Sequence, residues 1–258
     1  MAVRKSQVGR VWFHKNYFRG WNWFEIGFLI ASIVVPIAVG IPLGSGPIEI
    51  ISANVTLIAA ILFAKGKIEG YIFAFTAIPL YMIIAWHKQL FGELIIQAAI
   101  VYPLVLYGFI NWWRFRSGKS SADTHTLVGH TSWREILIVV FSQLVLLVGY
   151  YFLLQYFGTR FLVLSSLSIS AAVIGNYLIA RRCQFGPGVF IPSDIILIIL
   201  WSFVIADGGG GGAAVKLVMP IMFLVNDIYG VFEWRALAAR QKKSRKKCEK
   251  NTFDPTFH

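Results

Sequence analysis

The sequence predicts an all-α polytopic membrane protein with eight transmembrane helices, laid out as one extra N-terminal helix, then three, one and three. Three observations predict this. The first is composition: of 258 residues, 57% are hydrophobic, only 14% are charged, and the mean hydropathy is +0.66. A soluble domain carries about 25% charged residues. The charges also cluster, leaving apolar runs of about 18–22 residues, the length that crosses a bilayer core of about 30 Å. A porin-like barrel would instead alternate in roughly 10-residue strands. The second is the distribution of basic residues. With eight spans and a cytoplasmic N-terminus, 21 of the 24 Lys and Arg fall in inside segments, leaving Lys88, Arg160 and Lys216 outside. Short cytoplasmic loops carry that excess, so both termini are expected inside. The third is repetition: Tyr107-Gly108…Trp112 returns as Tyr229-Gly230…Trp234, 122 positions later.

Taken in order, residues 1–22 interleave Arg4, Lys5, Arg10, Lys15 and Arg19 with Trp12, Phe13, Tyr17, Phe18 and Trp21. That pattern suits a membrane interface better than a nucleic acid. The first span is about 23–42, with Pro36 as a kink. The turn at Ser45-Gly46-Pro47 leads to the second span, about 48–64. Lys65-Gly66-Lys67 turns the chain into the third, about 69–86, which is kinked at Pro79 and ends on Trp86. The fourth is about 93–113 and carries Gln97. Residues 114–134 have a linker composition rich in Ser, Gly and Thr. The fifth span, about 135–157, and the sixth, about 161–180, follow. After the basic turn Arg181-Arg182 comes the seventh, about 188–206, broken by Pro192. Gly208 to Gly212 read as a flexible loop before the eighth span, about 215–235. A basic tail follows, suited to anionic lipid. The expected units are therefore 1–47, a first triplet 48–114, a linker 115–160, a second triplet 161–235 and a tail 236–258.

The triplets correspond at an expected offset of 115, which pairs Lys65-Gly66-Lys67 with Ala180-Arg181-Arg182 and Trp86 with Trp201. One intervening crossing makes such triplets parallel, about an axis along the membrane normal.

Ionisable groups inside a bilayer are costly, so they are default site candidates. Asp194 and Asp227 are the two that fall well inside a span, with Asn226 and Gln97 as polar neighbours. Two carboxylates in a helical core suit a cationic ligand. Aromatic rings add cation–π or stacking contacts of roughly 0.5–2 kcal/mol each, and Tyr102, Trp86 and Trp201 are the expected ones. Glu25, Glu49, Glu69, Glu93, Glu135 and Glu233 sit near span ends and read as topological. Metal-ligand spacing, a phosphate-binding loop and a nucleophile–base set are absent. That argues against an enzyme, a resident metal or a cofactor, and the expected partners are the lipid bilayer and a small molecule. A non-transporting receptor or scaffold is the competing class, and self-association is compatible with either.

From about Asn54 to Arg240 the chain resembles the Pnu-type vitamin transporters. The carriers are Leu94-Ile95-Ile96-Gln97 leading to Leu106-Tyr107-Gly108…Trp112, then Asn226-Asp227-Ile228-Tyr229-Gly230…Trp234-Arg235, and Asp194. The resemblance implies a fold like that of the sugar-transporting SWEET proteins, with parallel triplets joined by a linker helix. It implies facilitated diffusion of a vitamin precursor across a bacterial inner membrane, with trapping by a separate cytoplasmic kinase. Nicotinamide riboside is the expected substrate, with thiamine and riboflavin as the family's other choices. Carried over by motif, Gln97, Asp194, Asn226 and Asp227 would contact the ligand.

Overall fold

The computed structural model describes residues 21–88, 91–116, 125–129, 132–158, 161–208 and 210–252. Among them eight helices are long and apolar enough to cross a membrane. They are α1 (Trp23–Gly40), α2 (Pro47–Ala64), α3 (Gly70–His87), α4 (Phe91–Arg114), α5 (Trp133–Tyr156), α6 (Leu162–Ala180), α7 (Gly186–Ala206) and α8 (Gly210–Thr252). The starts are set by local chemistry. Asn22 N–H donates to Glu25 Oε2 at 2.7 Å at the head of α1. Pro47 occupies the first turn of α2, where no amide hydrogen is needed. Ser132 caps α5 by accepting from the Glu135 amide at 3.3 Å.

Two departures from expectation concern α8. Its helix begins at Gly210, so the glycine run is a loop only at its start, where Gly208 has φ +82. At the other end it continues past the expected span end at 235, as helix through the basic tail to Thr252. Ala, Leu, Lys, Arg and Gln are strong helix formers, and no Gly or Pro intervenes to stop them. Residues 1–20 of the expected lead-in at 1–22, and residues 253–258, lie outside the described residues.

A third departure lies inside α4. Residues Gln97–Val101 form a π-helical turn, closed by the Tyr102 amide bonding Gln97 O. Pro103 explains it. Proline offers no amide hydrogen, and its ring crowds the carbonyl four residues back. One wider turn absorbs both problems, and such bulges are common where a helix serves a site.

The links α2–α3 and α6–α7 share one backbone. Gly66 has φ +66 and Arg182 φ +62. Lys67 N bonds Leu62 O and Cys183 N bonds Leu178 O, both at 2.9 Å. This is the helix-ending arrangement that a left-handed residue permits. The helices flanking each link keep one offset, 116, since α3 starts at Gly70 and α7 at Gly186. The expected offset of 115 was one residue short.

Across the bundle, α2 packs on α8 and α4 on α6. Trp112 Nε1 donates to Ile179 O at 2.8 Å, and Trp234 Nε1 donates to Phe63 O at 2.9 Å. The α4 indole thus holds the last turn of α6, and the α8 indole the last turn of α2. The two rings, both fully buried, meet at 5.7 Å. The described part of the linker, 125–129, straps this end. Thr126 N bonds Gly66 O and Gly129 N bonds Arg182 O, each at 2.9 Å, so it ties together the two matching turns. Gln241 of α8 clasps the strap through Thr126 O and Val128 N. Lys65, Lys67 and Arg182, expected in basic turns, are buried at this end, at most 9% exposed.

The outer helices match as well. α1 rests on α2 and α8; α5 rests on α6. Glu25, in the first turn of α1, bonds Lys65 and the Tyr229 hydroxyl. Glu135, in the first turn of α5, bonds Arg181 Nε at 2.8 Å. Glu135, and then the hydroxyl of Tyr107, push the Arg181 guanidinium above its ordinary value. These glutamates read as topological from sequence, and Glu25 instead has a structural role inside the protein.

Candidate functional site

Between helices α2–α4 and helices α6–α8 lies a cavity of about 540 Å³. At one end its lining includes Ser45, Glu49, Lys88, Glu93 and Lys216, which mark the mouth. At the other it reaches Phe63, Ala64, Ile179 and Pro187, the level of the crossed Trp112 and Trp234. Pro192 precedes Ser193-Asp194 on α7, and Pro220 on α8 lines the wall directly.

Five of the seven expected site residues line this cavity: Gln97, Asp194, Trp201, Asn226 and Asp227. Asp194 is 4% exposed and Asn226 2%. Asp194 on α7 and Asp227 on α8 both line the cavity, where the two helices pack together. Asn226 Nδ2 donates to Asp227 Oδ1 at 3.1 Å. Asp194 Oδ2, Asn226 Oδ1 and Gln97 Oε1 are buried with no protein partner. A buried polar atom left unpaired costs about 1–3 kcal/mol, so three around one cavity mark where a ligand or water belongs. The first residue of the π turn is Gln97 itself, which explains how α4 delivers an amide to the wall.

Two expected residues are elsewhere. Trp86 is 61% exposed and lies in a shallow groove with Pro79, Met82, Ile83 and His87 on the outside of α3. The cause is the one-residue error in offset, which turns a helix by about 100°. At the observed offset Trp201 matches Ala85, which is fully buried, and Trp86 matches exposed Ser202. Tyr102 packs edge-on against Phe75, 6.1 Å away, and does not line the cavity. Past the π turn its side chain is carried round to the α3 side.

Other lining groups were not anticipated. Ser193 Oγ donates to Ser168 O at 3.0 Å, joining α6 to α7 beside Asp194. The small polar run Ser165, Ser166, Ser168, Ser170 in an apolar span was the available signal. At the mouth Lys88 pairs with Glu49, Tyr81 donates to Glu93, and Lys216 lies 4.6 Å from the Trp201 ring centre. Gly175 lets the Phe190 ring reach the wall, since a Cβ there would lie 2.6 Å from Cζ.

A largely apolar cavity that carries buried acids and amides, enclosed by membrane-crossing helices, is the architecture of a multi-pass membrane transporter. Residues 46–236 match the sequence profile of the nicotinamide mononucleotide transporter family, and the chain belongs to that family. Among characterised proteins it is similar to the nicotinamide riboside transporter PnuC of Neisseria mucosa, 23% identical over 241 residues, covering 92% of this chain and 91% of that one. Among solved structures it is similar to a crystal structure of the vitamin B3 transporter PnuC. That match has a TM-score of 0.72 and 23% identity over 86% of this chain and 94% of the other. The likeness establishes the eight-helix fold.

Proposed function

We propose that the chain imports nicotinamide riboside by facilitated diffusion across a bacterial inner membrane, with both termini in the cytoplasm and the mouth facing out. One observation carries this reading: two carboxyls and two amide oxygens converge in a cavity of ligand size. Such pockets hold roughly 300–1,000 Å³. The pyridinium, a fixed monocation, lies near Asp194 and Asp227. The ribose hydroxyls bond Gln97 and Asn226. Alternating access comes from one triplet rocking against the other. A separate cytoplasmic kinase traps the product. The name of the characterised relative and the family membership support the substrate, and the buried basic turns beside the α8 extension support the orientation. Thiamine, also an organic cation, is the second reading that the same carboxyls favour.

The test is uptake of labelled nicotinamide riboside into liposomes holding the pure protein. Saturable uptake, blocked by unlabelled substrate, is the expected result. Absence of that uptake alongside transport of thiamine would replace the first substrate with the second.

A further inference from the structure

The way from the mouth to the buried acids follows one face of each of two helices. On α7, Asp194, Leu197 and Trp201 all line the cavity. Asp194 and Trp201 are two turns apart, so they share a face and stand about 10.5 Å apart along the axis. On α8, Lys216, Phe223 and Asp227 line the cavity in the same way. Lys216 is close to three turns from Asp227, about 16.5 Å toward the mouth. The two helices pack together, and Trp201 and Lys216 meet at the outer end of this path.

The charges at the mouth are unequally matched. Lys88 pairs with Glu49, and Tyr81 donates to Glu93. Lys216 forms no ion pair among the described residues. Its ammonium lies instead 4.6 Å from the centre of the Trp201 ring. An indole face attracts a cation within about 6 Å of its centre. The ring thus does for a lysine what it could do for a ligand. An organic cation bound for Asp194 and Asp227 passes this ring, and two cations on one face repel each other. The contest is uneven. A lysine ammonium is a compact, strongly hydrated charge on a flexible stem, so it can swing off the ring into water at the open mouth. A flat aromatic cation keeps the electrostatic attraction and adds stacked apolar area. A small inorganic cation gains nothing by the same swap.

We propose that the Trp201 ring is an outer docking site for an aromatic organic cation, and that Lys216 is its resident occupant, which each incoming ligand displaces. This rests on the cation-carrier reading above and adds an entry step to it. Lys216 sets how readily substrate enters, and it favours ligands whose ring can take over the indole face. The driving force is untouched: the flux stays downhill, and no covalent bond is made or broken.

The experiment uses full-length protein in liposomes, with labelled nicotinamide riboside and labelled thiamine as probes. Initial uptake at low concentration gives kcat/KM, the quantity that an entry step controls. Lys216→Met vacates the ring, and kcat/KM rises about three- to tenfold, the worth of one cation–π contact. Lys216→Arg keeps a cation on the ring and stays within about twofold of wild type. Trp201→Leu lowers kcat/KM, and adding Lys216→Met to it brings no further gain, because the two side chains act through one contact. All variants are checked for monodisperse elution, and Trp201→Phe replaces Trp201→Leu if the latter fails that check. No gain in Lys216→Met overturns the proposal. So does an equal gain in Lys216→Arg, or a gain from Lys216→Met that survives loss of the indole. Each of these leaves the carrier reading standing, since wild-type uptake is measured beside them. Failure of both probes to enter with the wild-type protein at any concentration overturns the docking site together with the carrier reading.

Discussion

Glu25 and Glu135 hold matching places at the heads of α1 and α5, yet their surroundings differ enough to give unequal losses. The perturbation is charge removal at constant shape: Glu25→Gln and Glu135→Gln. Glu25 is 1% exposed and its partner Lys65 6%. Taking one partner from a buried ion pair costs about 3–5 kcal/mol, because the other charge is left unsolvated. Here the loss is trimmed. The Lys65 ammonium also lies 4.8 Å from the Trp21 ring centre, a contact worth about 0.5–2 kcal/mol, and glutamine still accepts from Tyr229. The Glu135 pair is 16% and 38% exposed, where solvent screening reduces an ion pair to about 0–1 kcal/mol. The gap is therefore roughly 2–3 kcal/mol, or about 4–12 °C in midpoint at 2–4 °C per kcal/mol. Thermal unfolding of both variants in the same detergent, followed by tryptophan fluorescence, measures it. Adding Lys65→Met to Glu25→Gln removes the stranded charge and recovers part of the loss. Equal midpoints for the two single variants, or a double variant weaker than Glu25→Gln, would refute the reasoning.

Two further outcomes are expected. Gly108→Ala places a Cβ 2.7 Å from Tyr71 Cζ, and that ring is boxed in by Phe63, Phe109 and Trp112; overpacking of about 1–3 kcal/mol appears as a lowered midpoint in the same unfolding assay. Gln97→Ala removes one hydrogen-bonding group from the cavity, about 1–2 kcal/mol or a five- to thirtyfold rise in the KM of uptake, whereas Trp86→Ala, on the outside of α3, leaves the KM within about twofold.

The eight crossings were legible because apolar run length and charge placement act locally along the chain. The acidic pair was legible for a related reason: an aspartate in mid-span has to be accounted for, wherever its helix ends up. What escaped were consequences of packing. Lys65 and Lys67 look like loop charges in one dimension, and only the fold brings Trp21, Glu25 and the strap at 125–129 against their turn. Trp86 failed because matching tryptophans suggested an offset that the two turns, Gly66 and Arg182, do not obey. Arg182 hid that correspondence. Left-handed backbone costs a non-glycine residue about 1–2 kcal/mol, so a glycine is the usual marker, and here arginine takes the place. Its guanidinium reaches Leu127 O at 3.0 Å and covers the Phe115 ring, contacts that offset the strain. The π turn had a sequence signal in Pro103, but proline within a span reads as a kink until the hydrogen bonds are seen.

The matching contacts of α1 and α5 also change how the duplication is read. Trp23, Glu25 and Ile26 recur as Trp133, Glu135 and Ile136. In both places the glutamate bonds the basic residue that ends the next helix. We therefore read the chain as four helices and four, not as three plus three with two additions. Four crossings return a unit to the side it started from, so two such units are parallel without a special linker. The correspondence then explains where the cavity's polarity comes from. At the offsets of 116 and 122, Asp194 matches Ile78 and Asp227 matches Val105, and all four line the cavity. One unit presents an apolar wall at the positions where the other presents its acids. A strictly symmetric cage would bury either four carboxyls or none. The first carries charge that a single monocation cannot balance, and the second leaves a cation nothing to bind. Divergence at these two matched positions gives an asymmetric slot, apolar on one face and acidic on the other, which is the shape of demand made by a flat aromatic cation.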